Sequence, residues 1–273
     1  MTAVPEVVGE AGLVQGLSNA DYHADKEWLS STVLKRALPY YTDPDDRAAL
    51  DFGTAFHTRT LGEGEEVVVL DAADWRAKAT QEARDEATAV GKVAILRKDS
   101  ERIDAMIERV HEHKDAAALL FSSDGTSEES AFWMDDSGIK HKARFDRRIP
   151  GKIIDLKSTS AKPLSNEELA KVTANYLYDL SAAHYLAVAE GLGLDCPSFA
   201  FVFVSKHPPH HVAVCELDAA FLADGRFLRE QAIDRIVNGQ RGTQTLAPPR
   251  WRNLDRPLGA IPSDFTWSIN DYA

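Results

Sequence analysis

Cysteine is scarce. Cys196 and Cys215 are the whole complement, too far apart for a C-x-x-C pair and too few for a four-thiolate zinc or iron–sulfur site. They read as reduced, structural residues of a cytosolic protein. Long apolar runs are missing too. No stretch approaches the roughly 20 apolar residues that a membrane helix needs. Met1 to Gly16 has neither a basic n-region nor a continuous apolar h-region. Export and membrane attachment are therefore not expected, and a cytoplasmic location is. Repeats, low-complexity tracts and Gly/Ser linkers are also absent, so a single domain is expected over residues 1–273, with its core at about 20–240 and an irregular, Pro-rich extension over 241–273.

Positive charge is in short supply. The chain holds 31 Lys and Arg against 43 Asp and Glu, a net charge of −12. That excludes a generic DNA-coating protein, because affinity for phosphate backbones comes mainly from Lys and Arg. The cations that exist gather locally. Gly138 to Lys162 carries eight of them (Lys140, Lys142, Arg144, Arg147, Arg148, Lys152, Lys157 and Lys162) against Asp146 and Asp155, a net +6 that leaves −18 elsewhere. A cationic patch on an acidic body suits gripping a polyanion at one place.

What is present divides into a helical first half and a strand-rich middle. Ser30 or Ser31 can cap a helix through Leu34 to Leu38, ended by Pro39, and a second helix is expected over Arg47 to Leu61, stopped by Gly62. A short strand is predicted at Val67 to Leu70, with helices at Asp74 to Ala89 and Ser100 to Leu120. Ala131 to Met134, Ile139 to Ile149 and Lys152 to Lys157 then form an antiparallel meander punctuated by Asp136-Ser137-Gly138 and Pro150-Gly151. Helices near Asn166 to Ala174 and Tyr176 to Gly191, strands at Ser198 to Val204 and His211 to Glu216, and a helix over Phe221 to Asn238 complete the pattern. The implied class is α/β (α+β), a central mixed sheet flanked by helices.

The chemistry concentrates in Ile153-Ile154-Asp155-Leu156-Lys157. Strand alternation points Asp155 and Lys157 one way and Ile154 and Leu156 the other. Asp146 lies across the Pro150-Gly151 turn, in register to reach the same face. Two carboxylates on paired strands make an oxygen-rich site suited to Mg²⁺ or Mn²⁺, and a neighbouring ammonium can orient or deprotonate a water and offset transition-state charge. A D-x-K triplet alone is more often a surface ion pair. Here it ends an apolar strand, with an acid nine residues upstream and cations around it.

These stretches resemble the RecB-like branch of the PD-(D/E)XK nucleases, and within it the exonuclease VIII (RecE-type) and lambda exonuclease-like phage recombination enzymes. The matching segments are Leu29 to Lys35, Phe52 to His57, Ala143 to Asp146, Ile154 to Thr159 and Asn175 to Tyr185. The resemblance implies a restriction-endonuclease-like core in which Asp146 and Asp155 bind metal, Lys157 is the catalytic lysine, the Leu156 carbonyl is a further ligand and His57 approaches the metal. The position where related enzymes show Q-x-x-x-Y holds Ser181-x-x-x-Tyr185, which makes both residues candidates. Tyr178, seven before Tyr185, reads as core packing. Arg144, Arg147, Arg148 and Lys152, with Ser30, Ser31, Lys35 and Arg36 on the early helix, are candidate DNA contacts. The cluster His207, His210 and His211 lacks helical ligand spacing and reads as a loop between strands.

The implied activity is Mg²⁺-dependent (or Mn²⁺-dependent) exonuclease digestion of double-stranded DNA ends, 5′ to 3′, to supply single strands for recombination. A ring-shaped homo-oligomer, trimer or tetramer, and a single-strand annealing protein would be its partners. Two alternatives stay open: a CRISPR-associated or helicase-associated RecB-type nuclease without an iron–sulfur cluster, and a non-catalytic DNA-binding protein of the same fold.

Overall fold

A computed structural model describes residues 11–239 and the strand Trp267–Ile269. In chain order its elements are β1 (Gly12–Val14), α1 (Asn19–Ala24), α2 (Ser31–Ala37), α3 (Arg47–Leu61), β2 (Val67–Leu70), α4 (Lys78–Ala89), β3 (Val93–Leu96), α5 (Arg97–Glu112) and α6 (Lys114–Leu120). There follow β4 (Thr126–Met134), β5 (Lys140–Ile149), β6 (Lys152–Thr159), α7 (Asn166–Asn175), α8 (Tyr178–Gly191), β7 (Ser198–Ser205), β8 (Val212–Glu216), α9 (Ala219–Val237) and β9 (Trp267–Ile269).

The main sheet has seven strands in the order β1-β4-β5-β6-β7-β8-β9. Its neighbours pair antiparallel except β6 and β7, which are parallel. A parallel pair needs a crossover, and α7 and α8 supply it. Alternation along the central strands builds two cores. Phe145, Ile153, Phe199, Phe201 and Phe203 pack under α7 and α8. Ile154, Leu156, Val202 and Val204 face the other way, onto Phe52 and Phe56 of α3 and Ile103 and Met106 of α5.

Local chemistry sets the element ends. The Ser30 hydroxyl accepts from the Val33 N–H and starts α2, and Gly62, at φ 74°, closes α3 in the left-handed region that glycine tolerates. The segment expected as one helix over Ser100 to Leu120 is two. His113 breaks it, because its Nδ1 accepts from the Ala116 N–H at 3.2 Å and caps α6. The helix expected from Asp74 begins at Lys78, since Asp74 folds back onto the Arg76 N–H and guanidinium. Val93–Leu96, not anticipated as a strand, pairs parallel with β2 and is buried along its length. Of the expected irregular extension, Trp267–Ile269 is a strand on β8, and the rest lies outside the described residues. Among the described residues no helix is long and apolar enough to cross a membrane.

Candidate active site

Strands β5 and β6 start as a regular hairpin and then part. Their ladder runs from Ile149 opposite Lys152 to Arg147 opposite Ile154 and stops there. The next pair would be Asp146 and Asp155. At that point the Leu156 N–H donates to the Asp146 carboxylate, Oδ2, at 2.8 Å. A side chain thus occupies the gap between the diverging strands.

The divergence corrects the expectation that both acids share one face. Phe145 packs against the Tyr185 ring, 5.9 Å away on α8, so Asp146 projects toward α3, where its Oδ2 lies 3.4 Å from His57 Nδ1. Asp155 projects toward α8, with Ile153. The two carboxylates come from opposite faces and meet in the gap, close enough for a hydrogen bond between them.

Lys157 Nζ donates to Asp155 Oδ1 at 2.6 Å and lies 5.2 Å from the centre of the Tyr178 ring. Burial pulls its pKa down, but Asp155 and Asp146 outweigh that and hold it above the usual lysine range. Burial lifts Asp155 to about 7 against the pull of Lys157. Burial, reinforced by Lys157, drives His57 down to about 4, so its imidazole is neutral at physiological pH, and the ring hydrogen-bonds the Leu156 backbone.

One member was missed in the sequence. Glu128 on β4 stands across from Asp146, because Ser127 pairs with Arg147 and Glu129 with Phe145. Its φ is 50°, a left-handed conformation costing a non-glycine residue on the order of 1–2 kcal/mol. Ligand atoms of His57, Glu128 and Asp146 lie within 4.8 Å of one another. Burial and then the Asp146 charge raise Glu128 to about 8. No local signal marks it, because the register between β4 and β5 is what sets Glu128 opposite Asp146.

One imidazole and two carboxylates at this spacing, with Asp155 adjoining, form an oxygen-rich donor set. The residues therefore fit a divalent cation.

The other candidates divide. Arg144 lines two clefts that also share Asn19 and Asp146. One, of about 660 Å³, runs past Gly53, His57 and Glu128. The other, of about 180 Å³, is lined by His23, Ser30, Ser31 and Tyr185, and Ser31 and Tyr185 are hydrogen-bonded. Ser181 does not reach the centre. It is 5% exposed, and its hydroxyl donates back to the Leu177 carbonyl at 3.4 Å.

The expected cationic patch is largely spent within the fold. Arg147 is buried and donates to the Ser127 hydroxyl and the Ser122 carbonyl. Arg148 pairs with Glu129 at 2.7 Å, Lys152 pairs with Glu216, and Lys142 donates to the carbonyls of Tyr22 and Asp25. On α2, Arg36 pairs with Asp43, and Lys35 lies over the Tyr178 ring at 5.3 Å. His210 bonds the Ser205 carbonyl within the β7–β8 loop, as read from the sequence.

A mixed sheet whose central hairpin opens around Asp–(x)–Asp-x-Lys is the architecture of the PD-(D/E)XK nuclease superfamily. The chain belongs to the family of PDDEXK-like domains of unknown function (DUF3799), whose profile matches residues 33–245. A provisionally assigned exonuclease from Eubacterium rectale has a similar fold, with a TM-score of 0.57 at 17% identity over 88% of this chain and 91% of that one. A second solved structure, SSO0001, overlaps 66% of this chain and 84% of its own at 16% identity, and its TM-score of 0.27 carries no argument. No curated protein matches the sequence.

Proposed function

We propose that the chain is a divalent-metal-dependent DNA exonuclease that hydrolyses phosphodiester bonds at the ends of linear duplexes. The observation that carries this reading is the opened β5–β6 hairpin, which gathers Asp146, Asp155 and Lys157 with His57 and Glu128. Mg²⁺ or Mn²⁺ would be held by Asp146, Glu128 and His57, with Asp155 and the Leu156 carbonyl adjoining, and when bound supplies Lewis-acid charge at the scissile phosphate.

The chain's own groups do the rest. Lys157 keeps its proton, so its ammonium acts as a charge that orients the attacking water and offsets negative charge in the transition state. Asp155 fixes that ammonium through the 2.6 Å contact. His57 is neutral, with its Nδ1 3.4 Å from Asp146 Oδ2, and the tautomer that leaves this nitrogen unprotonated would give the metal an imidazole ligand. Arg144 lines both clefts and is held there by donating to the Ser130 hydroxyl and the Leu17 carbonyl, and the guanidinium so fixed would present its charge to a phosphate in either cleft.

The 5′ to 3′ direction, the ring-shaped oligomer and the annealing partner rest on the family resemblance alone, and the cytoplasmic setting on the cysteine content and the character of Met1 to Gly16. End-labelled linear duplex and closed circular DNA, each with Mg²⁺ or EDTA, test the activity. Loss of the linear form alone, and only with metal, is the expected result; cleavage of the circle would overturn end dependence. Asp146→Ala and Asp155→Ala should abolish cleavage, and Lys157→Ala should slow it by roughly 10²–10⁴ while metal binding by calorimetry persists. Near-normal turnover by folded Asp155→Ala would sink the site assignment.

A further inference from the structure

We propose that Tyr176 is a stacking platform for an unpaired base of the DNA strand beside the scissile phosphate. This rests on the nuclease reading above and specifies how that site holds its strand.

Residues two apart do not face each other on a helix, yet the rings of Tyr176 and Tyr178 lie 5.5 Å apart at 18°. Leu177 makes the stack possible. Its φ of 51° and ψ of 45° are left-handed, a region that a leucine enters only against steric resistance. That corner separates α7 from α8 and swings the flanking rings together. The Leu177 side chain is buried in one cluster with Leu34, Leu180 and Leu228, which holds the corner in place. Backbone strain kept by the core, at the point where two rings are aimed, is a feature of binding and catalytic sites.

The stack has an inner and an outer member. Tyr178 packs on Phe201 at 5.7 Å, with Lys157 Nζ and Lys35 Nζ 5.2 and 5.3 Å from its ring centre. Tyr176 is 44% exposed. Tyr41 lies within electrostatic reach of Tyr176 and of the Asp43–Arg36 pair, so the outer rim is polar and its charges are paired. An aromatic surface therefore begins at solvent with Tyr176 and ends beside the lysine of the proposed catalytic centre, with Lys35 and Lys157 against its inner ring. Every base has a π-face, and stacking beside cations binds single strands without reading their sequence. Packing alone accounts for the half-buried Tyr178, but it does not require an exposed ring stacked upon it.

The test uses the full chain and a single-stranded DNA oligonucleotide carrying one 2-aminopurine, in EDTA so that hydrolysis does not compete. Stacking quenches the probe. Wild type, Tyr176→Phe and Tyr176→Trp should all quench it, whereas Tyr176→Leu should lose the quenching and bind roughly 5- to 100-fold more weakly. Circular dichroism and melting confirm that each variant is folded, and the Phe and Trp variants separate loss of the ring from loss of the fold. Wild-type quenching and affinity in Tyr176→Leu would overturn the platform, as would a wild-type chain that does not bind the oligonucleotide. If wild type cleaves labelled DNA while Tyr176→Leu binds normally, the platform fails and the nuclease reading survives. Ring-dependent quenching without cleavage in Mg²⁺ or Mn²⁺ would instead uphold the platform as a single-strand contact and overturn the nuclease reading.

Discussion

At the scale of single residues, Glu128, Asp155 and His57 tie the site to stability in opposite directions. The two acids ionise above their unfolded values of about 4, Glu128 at about 8 and Asp155 at about 7. Between pH 4 and those values the folded chain holds protons that the unfolded chain has released, so stability falls as pH rises. His57 has the other sign. At about 4 when folded, against about 6.5 unfolded, it lets stability rise with pH between those values. The trends overlap below pH 6.5, and the acids act alone from about 6.5 to 8. The melting temperature in EDTA should therefore fall from pH 6.5 to 8, and Glu128→Gln should flatten the fall. Mg²⁺ or Mn²⁺ should raise it more at pH 8, where the ligands have lost their protons. A metal-free melting temperature that climbs over this interval would contradict these shifts.

At the scale of elements, α8 carries both site tyrosines, and its position depends on α9. A Cβ at Gly225 of α9 would sit 2.2 Å from the Asp179 carbonyl oxygen and 3.2 Å from the Ala183 Cβ. Glycine in a helix interior costs about 1 kcal/mol relative to alanine, and here the close approach of α8 outweighs propensity. Gly225→Ala should destabilise the fold by about 1–3 kcal/mol, read as a lower denaturant midpoint, and weaken cleavage by shifting α8. Unchanged stability would show that the helices can separate freely.

Much at this scale was legible in the sequence. The apolar run with D-x-K, the Pro150-Gly151 turn and the glycine stop of α3 are local signals, and each element stands where those signals put it. What was not legible depends on distant partners. Thr126 to Ser130 is polar and carries no apolar alternation, but pairing with β5, joined by β1 only at Ser130, makes it strand and brings Glu128 to the site. The opposite facing of Asp146 and Asp155 follows from a ladder that stops one pair short, which no alternation pattern records.

At the scale of the whole molecule, a net charge of −12 and a patch consumed by internal pairs leave few cations to hold a polyanion. Arg144 is the one that lines both clefts. It should contribute about one unit to the slope of log affinity against log salt, and Arg144→Ala should lower that slope by about 1. Arg148→Ala, which strands Glu129, should instead act mainly on stability. An Arg144→Ala slope equal to wild type, measured by fluorescence anisotropy over a salt series, would place the phosphate contacts elsewhere. The two clefts also set the traffic through the centre. Both are lined by Asn19, Arg144 and Asp146, so the centre borders a larger cleft of about 660 Å³ and a smaller one of about 180 Å³. Under the proposed exonuclease reading, two clefts that share Asp146 would let the substrate strand and the released nucleotide occupy different spaces beside the same carboxylate.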